Sequence, residues 1–239
     1  AIVAASVSEA GGVAVPMGAF PDNEDALRTA LRKAIEECDL VVLSGGTSKG
    51  AGDFSHRIVS EIGTVFVHGV ALKPGKPLCL AVAEGKPLVV LPGFPTSAIF
   101  TFHAFVAPVI RTLAGLPKEP TQMVEAQIPV RVSSELGRKE FMLVSLIEGS
   151  QGAIALPSNK GSGSVTSFSQ ADGFIEVEAL AASVEAGSTQ RVNLIGTAVR
   201  PPDLTITGSH DLALDIVISS VVDQGFATRT IAVGSQGGA

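Results

Sequence analysis

The sequence predicts an α/β protein in three parts: a doubly wound α/β domain, a small all-β domain, and the opening of a second, truncated α/β domain. Three observations predict this. Up to Pro117, apolar runs of strand length alternate with stretches of helical spacing, the pattern of a sheet with helices on its faces. After Pro117 the runs are short, strand-like and separated by Gly, Ser and Pro, with no convincing helix between them. After Pro201-Pro202 a strand, a helix and a strand follow one another again. The parts are residues 1–117, 118–197 and 203–239.

In the first part, residues 2–10 read as the end of a helix stopped by Gly11-Gly12, which suit a helix C-terminus. Val13 to Val15 fit a short strand. Pro21-Asp22 opens a second helix with Asp22 as its N-cap. Leu27, Ala30, Leu31, Ala34 and Ile35 recur at helical spacing and give it one apolar face. Asp39 to Leu43 reads as a buried parallel strand. Asp53 to Ile62 is an amphipathic helix ended by Gly63. Val65–Val70, Leu78–Val82 and Leu88–Leu91 are strands, the last two joined by Glu84-Gly85. A long helix follows Pro95 and runs to Leu113, kinked or divided by Pro108.

In the second part the strand-like runs are Val124–Val132, Phe141–Ile147, Ala153–Pro157 and Gly173–Ala179; in the third, Asp203–Thr207, a helix to about Asp223, and Thr228–Val233. The chain opens on Ala1 inside a helical stretch and closes on Gly237-Gly238-Ala239, so it reads as a fragment of a longer protein.

Composition narrows the function. An apolar fraction of 46% and a charged fraction of 17% suit packed cores rather than disorder. A net charge of −6 supplies no basic field for nucleic acid, so an anion must be caught by local features. Cys38 and Cys79 have no metal spacing and read as reduced thiols of a cytoplasmic protein. No run reaches the length of a membrane span, and no signal segment opens the chain. The four histidines are scattered; His56, His68 and His103 read as packing or surface residues, without zinc spacing.

Three loops carry candidate chemistry. Ser44-Gly45-Gly46-Thr47-Ser48-Lys49-Gly50-Ala51-Gly52-Asp53 joins a buried strand to a helix, where open α/β sheets bind ligands. Its glycines let backbone N–H groups approach an anion, and Ser44, Thr47 and Ser48 add hydroxyl donors. Asp53 either caps the following helix or holds a divalent cation. The loop is neither a Walker A nor a dinucleotide fingerprint. Lys73-Pro74-Gly75-Lys76-Pro77 fixes two ammonium groups around one stiff turn, and lysine suits phosphate as a point charge. Leu91-Pro92-Gly93-Phe94-Pro95-Thr96-Ser97 is a rigid strand-to-helix turn, with helix N–H groups open to an anion.

The order GGTSKGAGD, KPGKP and LPGFPTSA, followed by a small β-domain, resembles the molybdopterin molybdenumtransferase family, the MoeA type related to the E domain of gephyrin. The resemblance covers about residues 1–197. It implies a MoeA/MogA-like molybdopterin-binding α/β domain lacking its first strand, then a β-barrel-like C-terminal MoeA domain. It implies an enzyme of molybdenum cofactor synthesis that takes adenylylated molybdopterin and molybdate as substrates and releases AMP, assisted by Mg2+. On this chain the catalytic residues would be Asp53, Lys73 and Lys76, with Asp53 also the metal ligand. Ser44, Gly45, Gly46, Thr47, Ser48, Gly50, Pro74, Gly75, Pro92, Gly93, Pro95 and Ser97 would hold the pterin substrate. The resemblance also implies a homodimer for the full-length protein; charge and the lengths of the apolar runs point to no nucleic-acid or membrane partner. Relatives carry further domains before this point that complete the site across a dimer interface, so this fragment alone is expected to be inactive.

Two departures stand out. Phe94 occupies the place where the family has Asn, and Lys49 replaces a small apolar residue. In the β-domain, Gly137-Arg138 with Phe141, and Gly161-Ser162-Gly163-Ser164, match the family's later pattern; Arg138 and Ser162 read either as surface turns or as pterin or phosphate contacts. The C-terminal part, with Thr207-Gly208-Ser209-His210-Asp211 and Gly234-Ser235-Gln236-Gly237-Gly238, resembles the opening of a periplasmic-binding-protein-like domain of the LysR ligand-domain type, for an oxyanion such as molybdate or tungstate, for another small molecule, or for none. The second functional reading is a non-catalytic molybdopterin- or oxyanion-binding sensor. A third, the related adenylyltransferase, lacks the β-domain tail, so residues 118–197 argue against it.

Overall fold

The computed structural model describes residues 2–21, 23–45, 52–118, 122–149, 152–158, 168–169, 171–195, 202–208 and 211–232. Helix α1, Ile2–Glu9, ends before Gly11 at φ +93°, a left-handed conformation that glycine adopts freely. Residues 13–15 form no strand: they run as coil with Val13 90% exposed, and no described strand pairs with them to supply a ladder. Helix α2, Glu24–Glu37, is capped by Asn23, whose side chain accepts from Ala26 N at 3.0 Å. Asp22, the expected cap, lies outside the described residues. The expected face holds, with Leu27, Leu31, Ala34 and Ile35 buried.

Strands β1 (Val41–Ser44), β2 (Thr64–His68), β4 (Cys79–Ala83) and β5 (Lys86–Leu91) form one sheet in the order β1-β5-β4-β2. Helix α3, Gly52–Ile62, precedes β2, and the two-residue strand β3, Leu72–Lys73, precedes β4. β1 and β5 are parallel, whereas β4 is antiparallel to both of its neighbours. The reason for the β4–β5 hairpin is local: Glu84 (φ +51°) and Gly85 (φ +77°) turn the chain in two residues, the backbone of a tight hairpin. Both faces of the sheet are covered. Leu88 and Val90 of β5 pack with α2 and α3, while Val89 and Leu91 pack with α1 and the helix after Pro95. This is the doubly wound layering.

The helix after Pro95 runs unbroken through three segments: α4 (Pro95–Thr101), a π-helical turn (Phe102–Val106) and α5 (Ala107–Leu113). The turn at Pro108 is accommodated by this π segment, in which Ala107 N donates to Phe102 O, rather than by a break. By length and composition Pro95–Leu113 would suffice to cross a membrane, contrary to the sequence expectation, but 56% of its most apolar window is buried inside the molecule, as in a core helix.

Past residue 122 the chain is β-rich: β6 (Met123–Gln127), β7 (Val132–Ser133), β8 (Lys139–Gly149), β9 (Gly152–Pro157), β10 (Gly173–Val177), β11 (Ser183–Val184) and β12 (Thr189–Leu194). The expected long strand from Val124 to Val132 is divided into β6 and β7. The order β10-β12-β6-β9-β8 closes on itself, because β10 also pairs with β8. Closure removes free edges. Ala126, Met142, Val144, Leu146, Ala155, Ile175 and Val192 fill the interior. The one strand added from the α/β part is β3, which lies parallel to β8 with Leu72 opposite Lys139 and Lys73 opposite Glu140. Phe100 of α4 joins the two parts from the other side, 5.0 Å from Phe141 and 5.1 Å from Phe174 between ring centroids.

The last described unit is β13 (Leu204–Gly208), α6 (Leu212–Asp223) and β14 (Thr228–Ala232), with the two strands parallel. No residue of α6 is buried.

Candidate anion-binding site

The register of the sheet places the described start of the first loop and the two other loops at one end. β1 and β5 run parallel with Ser44 opposite Leu91, so their carboxyl ends emerge side by side. β4 starts at Cys79, opposite Val90, so the Lys73–Pro77 segment that feeds β4 arrives at the same end. This is where an open α/β sheet offers a crevice.

The first and third loops touch through their backbones. Gly45 N donates to Leu91 O at 3.2 Å, and a Cβ on Gly93 would stand 3.5 Å from the Cα of Gly45. Gly45 itself has φ +102°, which a side chain would strain. Ser44 is exposed beside it. Gly46, Thr47, Ser48, Lys49 and Gly50 lie outside the described residues. Asp53 is the second residue of α3, inside the first turn rather than before it, where a carboxylate is favoured by the helix dipole. Its side chain lies outside the described residues.

The second loop is locked to the third through α4. Gly75 has φ +130°, and a Cβ there would come within 2.6 Å of Thr101 Cγ2 and 3.3 Å of Leu72 Cδ2. Thr101, buried one turn after Ser97, donates its hydroxyl to Ser97 O at 2.7 Å. Val70 N donates to Lys76 O at 2.9 Å and Leu78 N to Gly75 O at 3.2 Å. The Lys73-Pro74 peptide is cis. At the third loop Pro92, Thr96 and Ser97 are buried, Gly93 and Phe94 are exposed, and Pro95 takes the first helical position. Phe94 is the N-cap residue of α4, with extended backbone and no side-chain cap bond. An Asn at that place would accept from the first-turn N–H groups; Phe leaves them without that partner.

The two lysines are held differently. Lys76 is exposed and makes no ion pair among the described residues. Lys73 Nζ lies 3.2 Å from Glu140 Oε1 and 3.8 Å from Glu135 Oε2. Glu140 is only 5% exposed, and its other oxygen accepts from Ser134 Oγ at 2.7 Å. Glu135 also pairs with Arg138. That hydrogen bond and charge hold the Glu135 carboxyl below the usual carboxylate range, and Lys73 adds to the effect. Cys79, at the start of β4, is a free thiol whose pKa is raised by burial, so it is protonated and unreactive at neutral pH. Cys38 is also free.

Sequence reasoning singled out Arg138 and missed the carboxylates beside it. The signal was present: alternation along β8 puts Glu140 in phase with Met142, Val144 and Leu146, all buried, and a charged residue at an inward position needs a partner. Thr101 carried no comparable sign. Ser162 lies outside the described residues. His56 and His68 stack with ring centroids 3.8 Å apart, and His103 meets Phe102 edge-on. Among the described residues no three His, Cys, Asp or Glu side chains gather as a metal site. Ser209, His210 and residues 234–238 of the C-terminal part also lie outside the described residues.

Comparison with known proteins matches this arrangement. Residues 1–112 match the model of the probable molybdopterin binding domain, and residues 125–195 match the MoeA C-terminal region, domain IV. The chain is 33% identical over 179 residues to a molybdopterin molybdenumtransferase of Haemophilus influenzae, covering 73% of this chain and 44% of that protein. It is 27% identical over 205 residues to gephyrin of Dictyostelium discoideum, covering 72% of this chain and 29% of that protein. A crystal structure of a molybdopterin biosynthesis MoeA protein from Pyrococcus horikoshii superposes with a TM-score of 0.69 at 35% identity, over 81% of this chain and 46% of that one. The chain thus spans less than half the length of these relatives, and neither family model extends past residue 195. With both domain models matched in order along residues 1–195, the chain belongs to the MoeA family of molybdopterin biosynthesis proteins.

Proposed function

We propose that this chain carries part of a site that inserts molybdate into adenylylated molybdopterin with release of AMP. The observation that supports the reading best is the meeting of the Gly45 and Gly93 backbones beside a lysine loop locked to the same helix. Glycines at both positions leave the backbone bare of side chains, so that a phosphate can approach this edge, and lysine charge stabilises the negative charge that builds as the phosphate–phosphate link is cleaved. In this reading Lys76, exposed and without an ion pair among the described residues, meets the phosphate first. Lys73 reaches it from the junction with the barrel. The protein works in a reducing compartment, as its free thiols Cys38 and Cys79 allow, and as a homodimer.

Magnesium is bound by proteins through one or two carboxylates plus substrate phosphates. Asp53 supplies one carboxylate by position in α3, and the described residues assemble no further acidic cluster. In this reading Asp53 would hold magnesium together with the substrate phosphates.

The test is AMP release by the full-length protein that contains this sequence, given adenylylated molybdopterin and molybdate. The expected result is release that falls about a hundredfold in Lys76→Met, the loss typical of one missing charge-stabilising group. Binding of molybdate with the adenylate left intact would sink the enzyme reading in favour of a sensor.

A further inference from the structure

Lys73 meets two carboxylates with opposite surroundings. Glu140 is buried, stands directly opposite Lys73 in the β3–β8 pairing, and is also bonded by Ser134. Glu135 lies in the segment between β7 and β8, and its side chain is 53% exposed. It sits farther from Nζ, at 3.8 Å against 3.2 Å, and shares itself with Arg138. Among the described residues, two cations and two carboxylates leave this cluster neutral. A phosphate arriving at Lys73 therefore finds the ammonium charge already matched, and one carboxylate must give way.

The two differ in what leaving costs. Withdrawing Lys73 from Glu140 would strand a charge away from water, which is expensive. Glu135 can swing into solvent, where an exposed ion pair is weak. The geometry points to Glu135 as an internal anion that holds the place of the substrate phosphate on Lys73 and is displaced by it. Glu140 is the positioning residue that keeps Nζ in place throughout. The inference rests on the reading of the three loops as a phosphate site, and makes the barrel a contributor to that site.

The two carboxylates then have opposite effects on the same lysine. With AMP as the probe in calorimetric titrations, Glu135→Gln is expected to tighten binding about threefold, the size of one exposed ion pair removed. Glu140→Gln is expected to weaken it about tenfold, because a lysine out of place loses its contact. Unchanged or weaker binding in Glu135→Gln, while the wild type binds AMP, overturns the inference. Glu135 is exposed, so that variant folds even if Glu140→Gln does not. No binding by the wild type overturns the phosphate-site reading itself.

A second measurement separates the two failures, because it needs no ligand. Acetylation of lysine amines by a neutral reagent, followed by mass spectrometry, reports how tightly Lys73 is held, with Lys76 as the internal reference. Glu140→Gln is expected to speed acetylation of Lys73 several-fold, and Glu135→Gln to speed it less. A larger effect from Glu135→Gln would make Glu135 the anchor and overturn the assignment.

Discussion

The sheet β1-β5-β4-β2 and the unit β13-α6-β14 are built from similar residues and reach different ends. In the first, Leu88 and Val90 of β5 meet helices on one face and Val89 and Leu91 meet helices on the other. In the second, a helix as apolar as any in the molecule buries no residue, with Leu212, Ile216, Val217 and Val222 exposed. The local chemistry runs the other way. α6 has a good N-cap, Asp211, whose carboxylate accepts from both Ala213 N and Leu214 N. α4, at the centre of the candidate site, has Phe94 in that place and no cap bond. One region is held by tertiary burial without its local signal, the other has the local signal without burial. Stability follows burial, and the site stands on the buried region.

The largest expected effect comes from removing matching leucines. Leu88 is fully buried in the middle of β5, and Leu88→Ala is expected to cost about 3 kcal/mol, the transfer term plus a cavity. Leu212, at the start of α6, is 78% exposed, and Leu212→Ala is expected to change stability by less than about 0.5 kcal/mol. Chemical denaturation of the two variants checks the pair. Equal losses would mean that α6 has a covered face after all.

Much of this division was legible in the sequence. The apolar face of α2 was readable because Leu27, Leu31, Ala34 and Ile35 keep one spacing, and the sheet strands because their runs are short and bounded by Gly and Pro. The candidate loops could be located for the same reason: Gly and Pro mark the turns at the strand ends. What escaped depended on partners far along the chain. Val13 to Val15 have strand composition but pair with no described strand, and the closure of the barrel by β10 on β8 has no local sign. The pairing of Lys73 with Glu140 joins residues 67 positions apart, and only the packing of β3 onto β8 brings them together.

A second effect, smaller than the first, compares two glycines with left-handed backbones. Gly225, after α6, has φ +89° and open space around its missing side chain; Gly75 has φ +130° and Thr101 within 2.6 Å. Gly225→Ala pays only the conformational term, about 1 kcal/mol. Gly75→Ala adds a clash and is expected to cost about 2 kcal/mol or more, with weaker AMP binding because the lysine loop moves off α4. Thermal melts give the first difference and titration the second. Equal costs would show that α4 yields at Thr101, and that the loop is less firmly locked to the helix than its contacts indicate.

The smallest effect tests the caps. Phe94→Asn restores a side-chain acceptor at the N-cap of α4 and is expected to stabilise the protein by about 1 kcal/mol. Asp211→Ala removes the cap of α6 and is expected to cost α6 about the same, but a global melt need not register it, because no residue of that helix is buried. Amide hydrogen exchange reads both changes locally: slower exchange in the first turn of α4, faster exchange across α6. The two substitutions also part on function. An Asn side chain that accepts from the first-turn N–H groups of α4 occupies donors that a phosphate at the third loop would use. Phe94→Asn should therefore gain stability while losing a few-fold in AMP affinity. A gain in both would show that the phosphate does not use those N–H groups, and would confine the anion to the glycine and lysine loops.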